Sequence, residues 1–539
     1  MLQLRPASTP LRDTQIGHAF ARLARWIDRV RDRLETERFT SFDSSIALGT
    51  LILLYLAITA SAATRQLWHD ELFTYYIAKT PMPQFWQAIR LDLNPPLIYL
   101  AVRSSLAVLG DNSYAARFPS IVAFLIGSLC FYRFVSRRLR PAYGFLALLV
   151  FWSTPFLSYA TEARPYALIF GFFGIAMLAW EKAIEPNRNN ASVALLAAAV
   201  TGMAFSHFFA LFYVLPFCLA ELVRWYRSRK FDLLLWASLV IPSVILFIYI
   251  RTITGFQGAS FPPAFQASPH RVAAFFYDTL APEGIVLFFA VLIALLTVLG
   301  RPQTRTAKAA FMTPVELAFT AGLLMIPVII TLALMRSHSA FFPRYGVPAV
   351  YAYGILIAFF LAIMTNRNRL AAVAACSVLL LYVLALNLGG SARSIWAARG
   401  SHAALPPTSA IELVRPDLPI VAASGLTWLE MDKYESPSIV SRLYYLTDLG
   451  LAVHYAHATI FEGYANLKQY FPIRANIEPY RQFVAEHPQF LVLGTPGYPE
   501  DWLLRRLLDI HATVQYLGDF PGPYKDTELY QVTMPPGSY

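Results

Sequence analysis

Polar side chains that could do chemistry stand where the long apolar runs of this sequence end. Seven such positions draw attention: Asp70, Glu71, Glu162, Arg164, His207, Arg344 and Tyr345. Carboxylates can act as general acids or bases, and arginines bind phosphate through charge-assisted hydrogen bonds. Because a charge at membrane depth costs about 2.5 to 3.5 kcal/mol, we treat these positions as functional hypotheses.

Each side chain also has a purely structural interpretation. Asp70 or Glu71 could cap a helix, and His207 could be a neutral, hydrogen-bonded spacer in a helical hairpin. Arg344 could be an interfacial anchor whose aliphatic stem lies along apolar surface. Their convergence on one membrane face, from loops far apart in sequence, favours an active site.

A metal site is an open alternative. His69, Asp70 and Glu71 are consecutive, so their side chains point in different directions and cannot by themselves hold one ion. Asp70 and Glu162, which come from separate loops, could hold a divalent cation together. The sequence indicates no other cofactor.

The composition places these residues in a membrane protein. The chain has 539 residues, of which 57% are hydrophobic and only 14% are charged, against about 25% charged in soluble domains. Its net charge of +11 comes from short basic clusters between apolar runs, which indicate membrane topology rather than nucleic-acid binding. The three cysteines lie inside apolar runs and predict no disulfide.

Eleven apolar runs are long enough, or nearly so, to cross a membrane. They cover residues 44–63, 118–136, 141–158, 165–181, 191–206, 207–223, 231–250, 284–299, 314–335, 345–364 and 370–388. For the shorter run 95–110, with Arg103 in its middle, we predict an interfacial helix, because this choice puts the basic clusters on the cytoplasmic side. The loops that carry the seven polar residues then share the non-cytoplasmic face.

The chain divides into three predicted parts. Residues 1–43 form a cytoplasmic, Arg-rich amphipathic segment or a solvated tail, and residues 44–388 form an all-α transmembrane module. Residues 389–539 form a small periplasmic α/β domain. Its predicted strands are 418–424, 489–494, 513–520 and 528–534, separated by helices at 477–487 and 500–510.

The order of the motifs resembles a known family, the multi-pass GT-C glycosyltransferases of the protein mannosyltransferase and lipid A aminoarabinose transferase type. The resemblance covers roughly residues 44–365 and rests on WHDE, NPPLIYL, GDNSYAARFPS, TEARPYAL, SHFF and PRYGVPA. It implies a GT-C fold and a polyprenyl- or dolichyl-phosphate sugar donor. It also implies an inverting reaction at the periplasmic face of a bacterial inner membrane.

The resemblance implies roles for the acidic residues by position. Asp70 matches the catalytic acidic residue, Glu71 matches its partner, and Glu162 matches the acidic residue of the second loop. As a hypothesis, Asp70 is the general base, while Glu71 or Glu162 orients the acceptor or raises the pKa of the base.

The remaining residues are expected at the donor. Arg164 and Arg344 would hold the phosphate, with Tyr345 and His207 beside them. The predicted function is transfer of a hexose or pentose from polyprenyl phosphate to a glycolipid, polysaccharide or protein acceptor of the envelope. The alternatives are a lipid-linked sugar flippase, which should tolerate Asp70→Asn, and a non-catalytic assembly subunit, which should tolerate loss of all these groups.

Overall fold

The computed structural model of the protein describes most of the chain as a helical bundle followed by a mixed β-sheet. The described residues are 41–60, 65–92, 94–253, 263–299, 311–400, 415–457, 466–498, 500–521 and 526–537. The predicted amphipathic segment at the N-terminus therefore lies outside the described residues, apart from its last three.

The helices before the sheet follow the apolar runs of the sequence. They are α1 (Ser41–Ala60), α2 (His69–Lys79), α3 (Met82–Ala88), α4 (Leu97–Leu109), α5 (Ser113–Arg138), α6 (Pro141–Ser153), α7 (Tyr166–Ala183), α8 (Asn190–Ser206), α9 (Ala210–Tyr213), α10 (Leu215–Ser228), α11 (Leu233–Ile253), α12 (Pro269–Val298), α13 (Pro314–Arg336), α14 (Val350–Met364) and α15 (Arg369–Gly400). The predicted class, a polytopic helical protein with a small C-terminal sheet, is confirmed.

Membrane-spanning capacity can be judged from helix length and composition. Among the described residues, six helices are long and apolar enough to cross a membrane, or eight if each of two bent pairs is one span. All eleven predicted runs coincide with helices or broken helices. Since fewer than eleven of them are long enough to span by themselves, the predicted number of eleven crossings stays a prediction. The segment predicted to be interfacial is α4, which has 13 residues and is too short to span.

Helices break where the candidate site residues lie. Short 3₁₀ segments cover Pro155–Thr161 and Pro343–Ala349, and each begins with a proline, which lacks a backbone N–H and cannot continue a preceding helix. The chain bends by 82° between α6 and the first of these segments. Glu162 follows directly after the first segment, and Arg344 and Tyr345 lie within the second.

Two helices of the bundle, α5 and α7, approach each other closely through glycine. A Cβ atom added at Gly127 of α5 would lie 2.5 Å from the carbonyl oxygen of Phe170 in α7. Gly171 and Gly174 of α7 are similarly close to α5. Small residues at such crossings let helix backbones pack by van der Waals contact, and here they fix the spacing between the two helices that flank the candidate site.

The C-terminal region forms a six-stranded sheet. Its elements are β1 (Ile420–Ala422), α16 (Gly425–Tyr434), α17 (Pro437–Val440), β2 (Leu443–Thr447), β3 (Asn476–Pro479), α18 (Tyr480–Glu486), β4 (Gln489–Gly494), α19 (Trp502–Asp509), β5 (Thr513–Pro521) and β6 (Asp526–Thr533). The strand order is β3-β2-β1-β4-β6-β5, with β1 to β4 parallel and β5 and β6 antiparallel. The four predicted strands and both predicted helices are present, whereas β2 and β3 were not predicted.

The two faces of this sheet pack against different partners, as the alternation of side chains along a strand requires. Val421 and Val492 face a small core with α18 and α19. Ile420 and Leu491 face a second core, which also contains Leu72 of α2 and residues of α4. The sheet therefore shares a hydrophobic core with the segment that follows α1.

We predict that Gly127→Val destabilises the bundle by about 1 to 3 kcal/mol, because the added side chain must push α7 away. The measurement is the melting temperature of the purified protein in detergent. Gly49→Val is the matched control, since a Cβ at Gly49 meets no atom within 4 Å. Equal melting temperatures for the two variants would contradict the prediction.

Candidate active site

Asp70 lies in the first turn of α2 and is the centre of the site. Arg344 Nη1 donates to Asp70 Oδ2 at 3.0 Å, and Arg164 Nε lies 3.9 Å from the same oxygen. His69 Nδ1 is 3.3 Å from Asp70 Oδ1. Burial alone would raise the pKa of Asp70, but the two arginines and the His69 contact outweigh it and hold that pKa well below its usual range. Asp70 is therefore an anion.

Arg164 is a buried residue held by a carboxylate that the sequence analysis did not single out. Its Nη1 and Nη2 atoms donate to the two carboxyl oxygens of Asp92 at 2.8 and 3.3 Å. Tyr99 Oη also donates to Asp92, at 2.8 Å. The Nη1 atom of Arg164 reaches the carbonyl oxygen of Asp70 at 2.9 Å as well. Asp92 thus fixes the guanidinium beside α2.

Arg164 and Arg344 each have one N–H group that makes no hydrogen bond to the described residues. The Nε atoms of Arg164 and Arg344 are buried and have no hydrogen-bond acceptor among the residues that the structure describes. A buried donor without a partner costs about 1 to 3 kcal/mol, so such groups call for an explanation. An anion within reach of these atoms would supply the missing acceptors.

Glu71 points away from this cluster and forms a buried ion pair with Arg117 of α5. Arg117 donates to Glu71 Oε1 at 2.7 Å and to Oε2 at 2.6 Å, and neither side chain is exposed to solvent. The backbone N–H groups of Ala163 and Trp68 donate to the same carboxylate at 2.8 and 3.2 Å. The structure therefore brings Glu71 together with the loop of Glu162 and Arg164 but not with the carboxylate of Asp70.

Glu162 lies next to this buried pair and is less constrained. Its carboxylate accepts no hydrogen bond from any of the described residues, and the side chain is half-buried. Burial and the nearby Glu71 carboxylate raise the pKa of Glu162 to about 7, against a smaller opposing effect of Arg65. A carboxyl group with this pKa can take up or release a proton near neutral pH.

His207 and Tyr345 form an aromatic wall near the two arginines. Their ring centroids are 6.0 Å apart, and Phe209 lies 4.3 Å from Tyr345. His207 Nδ1 accepts the backbone N–H of Phe209 at 3.1 Å, which leaves Nε2 as the donor of the neutral ring. Burial, together with Arg164 and Arg344, lowers the pKa of His207 to about 3, so the ring is neutral at pH 7.

Residues of the C-terminal region hydrogen-bond to the start of α2 and pack against it. Glu430 Oε1, in α16, accepts the backbone N–H of His69 at 2.6 Å, so a side chain 361 positions away caps the helix that carries Asp70. Tyr434 Oη accepts the N–H of Leu67 at 2.7 Å, and Phe471 packs edge-on against Phe73. The position of Asp70 therefore depends on both parts of the chain.

The structure also bears on the predicted metal alternative. No group of three or more His, Cys, Asp or Glu side chains converges anywhere in the described ranges in a way that could hold a metal ion. The Asp70 carboxylate is engaged by arginine, and Glu162 is described without a bonded partner.

Three residues of the site were missed from sequence, and their signals differ in strength. Asp92 is an acidic residue just before the double proline, and Arg117 is an arginine at the start of an apolar run, so each could have been noticed. Glu430 lies in a helix of ordinary composition. Its role depends on docking between distant segments, which leaves no local pattern.

Comparisons with known proteins agree with this architecture. Residues 93–250 match a family model described as dolichyl-phosphate-mannose-protein mannosyltransferase. No curated protein sequence matches the chain.

Two crystal structures of ArnT from Cupriavidus metallidurans resemble the structure as a whole. The one bound to undecaprenyl phosphate has a TM-score of 0.52 and 11% identity, with 91% of this chain and 98% of that chain covered. The apo structure has a TM-score of 0.50 and 13% identity, with coverage of 90% and 98%. The match confirms the GT-C fold that the ordered motifs predicted.

We predict that Glu430→Ala speeds amide hydrogen exchange in the first turn of α2 by about fivefold, since losing a cap costs about 1 kcal/mol. The measurement is hydrogen exchange with mass spectrometry on peptides covering residues 65–80. Glu430→Gln keeps an oxygen that can accept the His69 N–H and should restore slow exchange. Glu486→Ala, at an exposed position in α18, is the control. Unchanged exchange in Glu430→Ala would contradict the capping role.

Proposed function

We propose that this protein transfers a sugar from a polyprenyl-phosphate donor to an acceptor of the cell envelope. The observation that carries the proposal is the pair of buried Nε–H donors of Arg164 and Arg344 near Asp70, which have no acceptor among the described residues. A phosphate supplies acceptor oxygens of the right charge. The GT-C fold and the family-model match over residues 93–250 support the same reaction class.

In the donor-free protein, Asp70 serves as the counter-ion of both arginines. The phosphate of the donor replaces it at Arg344, which is the more exposed arginine, with 27% of its side chain accessible against 6% for Arg164. Arg164 stays in place because Asp92 holds it. His207 Nε2 and the Tyr345 hydroxyl offer further donors to the phosphate or to the sugar.

The reaction exchanges one bond to the anomeric carbon for another. The bond between that carbon and the phosphate oxygen breaks, and polyprenyl phosphate leaves with the electron pair. An acceptor hydroxyl forms the new bond from the opposite face, which inverts the configuration, and passes its proton to a carboxylate. The arginines stabilise the charge that develops on the leaving phosphate.

Asp70 is the proposed base, and the donor itself makes it basic. With both arginines as partners, Asp70 has too low a pKa to take a proton readily. Once the phosphate engages Arg344, Asp70 loses one cationic partner and gains a nearby negative charge, and both changes raise its pKa. The base would therefore be active only when the donor is bound.

Glu162 is a second candidate for the base, favoured by a specific observation. Its pKa of about 7 matches the operating pH of an enzyme better than that of donor-free Asp70 does. Glu71 is assigned a positioning role, because Arg117 and two backbone N–H groups occupy its carboxylate.

The surroundings of the site fit a substrate anchored in a membrane. Helices α3 and α4 follow α2 and expose large apolar side chains, among them Trp86 at 55% and Val108 at 81%. Tryptophan is typical of the headgroup level of a bilayer. We propose a bacterial inner-membrane location with the N-terminus cytoplasmic and both the site and the C-terminal domain periplasmic.

We predict that Asp70→Asn lowers sugar transfer at least about a hundredfold, the usual contribution of a general base, while donor binding is kept. The assay offers a panel of polyprenyl-phosphate sugars and an extract of envelope acceptors to the protein in liposomes. Asp111→Asn, which removes a surface carboxylate paired with Lys79, is the matched control. Transfer at the wild-type rate by Asp70→Asn would remove Asp70 as the base, and a lipid-sugar flippase would give no transfer product at all.

The pH dependence of transfer distinguishes the two candidate bases. Since the raised pKa of Glu162 leaves it protonated below about pH 7, a Glu162 base predicts that kcat/KM rises between about pH 6 and 8 and then levels off. Glu162→Gln would abolish that limb together with most of the activity. An Asp70 base, ionised throughout this range, predicts a flat profile and an active Glu162→Gln variant.

A further inference from the structure

A second cavity lies at the end of the helical bundle opposite to Asp70. It has a volume of about 420 Å³ and is bounded by the ends of α5, α7 and α10 and by the start of α13. Helix α5 carries Arg117 near its beginning and Arg138 at its end, about 30 Å apart at 1.5 Å per residue. The cavity is therefore separate from the candidate active site.

Aromatic side chains form much of the wall of this cavity. Phe134, Trp180, Phe319 and Phe359 contribute to it. The rings of Trp180 and Phe319 are stacked at 5.2 Å, and Trp180 Nε1 donates to the buried Glu221 at 2.8 Å. A cavity of this size and lining is typical of sites that take an apolar chain or a small organic ligand.

The mouth of the cavity carries charges of both signs, and most of them are paired. Arg138 pairs with Glu316 at 2.6 Å, and Arg224 pairs with Glu221 at 2.6 Å. These contacts neutralise four of the charged groups around the mouth without help from a ligand.

Two groups at the mouth could still bind a ligand: the exposed Arg227 and one carboxylate oxygen of Glu181. Arg227 forms no ion pair within the described ranges of the chain. Glu181 Oε1 lies 3.4 Å from Arg137 Nε, but Glu181 Oε2 is buried and has no hydrogen-bond donor among the residues described. Among the residues that the structure describes, the cavity thus offers one cation without an ion pair and one carboxylate oxygen without a donor, above an apolar pocket.

We propose that this cavity binds a phospholipid with a primary-amine headgroup, such as phosphatidylethanolamine. Its phosphate contacts Arg227, its ammonium donates to Glu181 Oε2, and part of one acyl chain lies along the aromatic wall. A zwitterionic headgroup matches a mouth that has one unsatisfied group of each sign. An anionic headgroup without an amine would supply no ammonium donor to Glu181 Oε2.

The neighbouring surface is suited to the headgroup region of a bilayer. Trp225 and Tyr226 of α10 are 45% and 69% exposed and adjoin the cavity residues Arg224 and Arg227. Such amphipathic rings favour the membrane–water interface. A lipid seated here would join the ends of α5, α7 and α10 and the start of α13, and would stabilise the bundle in proportion to its occupancy.

The test compares phosphatidylethanolamine with phosphatidylcholine, whose amine is methylated, and with phosphatidylglycerol, which has no amine. The purified full-length protein is delipidated in a non-ionic detergent and offered phosphatidylethanolamine, phosphatidylcholine or phosphatidylglycerol, and bound lipid is counted by native mass spectrometry. Methylation in phosphatidylcholine removes the three N–H donors that Glu181 Oε2 requires. We expect one phosphatidylethanolamine per chain, held about tenfold more tightly than phosphatidylcholine.

Variants assign the contacts. Glu181→Ala should abolish the preference for the amine, whereas Glu185→Ala, which removes a partner of Arg137 outside the cavity, should keep it. Arg227→Ala should weaken all three lipids, and Lys230→Ala, at an exposed position nearby, should weaken none.

Several results would overturn the proposal. They are equal retention of phosphatidylethanolamine and phosphatidylcholine by the wild type, preference for phosphatidylglycerol, or retention of no lipid. These comparisons need no variant, so they stand even where a substitution impairs folding. An unchanged preference for the amine in Glu181→Ala would also overturn it.

Discussion

The buried ion pair of Glu71 and Arg117 fixes the framework on which every other charged group of the site depends. Removing two charges from water costs several kcal/mol per ion, and only full hydrogen bonding offsets that cost. Arg117 achieves it by donating to Glu71 and also to the carbonyl oxygens of Arg65 and Gln66 at 2.7 and 2.8 Å. Because Glu71 also accepts from Ala163, one pair joins α2, α5 and the loop of Arg164. With Glu71 turned towards Arg117, the neighbouring Asp70 side chain faces Arg164 and Arg344.

The charges of this cluster balance one another. Asp70 and Asp92 carry two negative charges, and Arg164 and Arg344 carry two positive charges, so the donor-free cluster is neutral. Both arginines approach the same oxygen of Asp70, so they share the negative charge of that carboxylate. In the proposed reaction the phosphate of the donor would upset this balance by one charge, and the carboxylate with the weakest fixed attachment would have to respond. Asp92, held by Arg164 and Tyr99, is not that carboxylate.

The sequence predicted the elements and part of the site, for physical reasons that also mark its limit. Long apolar runs predicted the helices because hydrophobicity is a local signal, and the polar residues at their ends predicted the cluster of Asp70, Arg164 and Arg344. The pairing of Glu71 with Arg117 was not predictable, since a carboxylate next to Asp70 has no local feature that turns it inward. The strand β2 was missed although its residues 443–447 are aromatic and apolar, and the short β3 has half-buried side chains without clear alternation.

The cap that Glu430 provides for α2 has a consequence for the order of events during synthesis. The two residues it joins are 361 positions apart, so ribosomes working at about 5 to 20 residues per second complete one roughly 20 to 70 s before the other. Through that interval α2 has emerged with its first N–H groups lacking this partner. A chain that stops before residue 430 lacks this cap, so the first turn of α2 reaches its final hydrogen bonding only after a much later segment has been made.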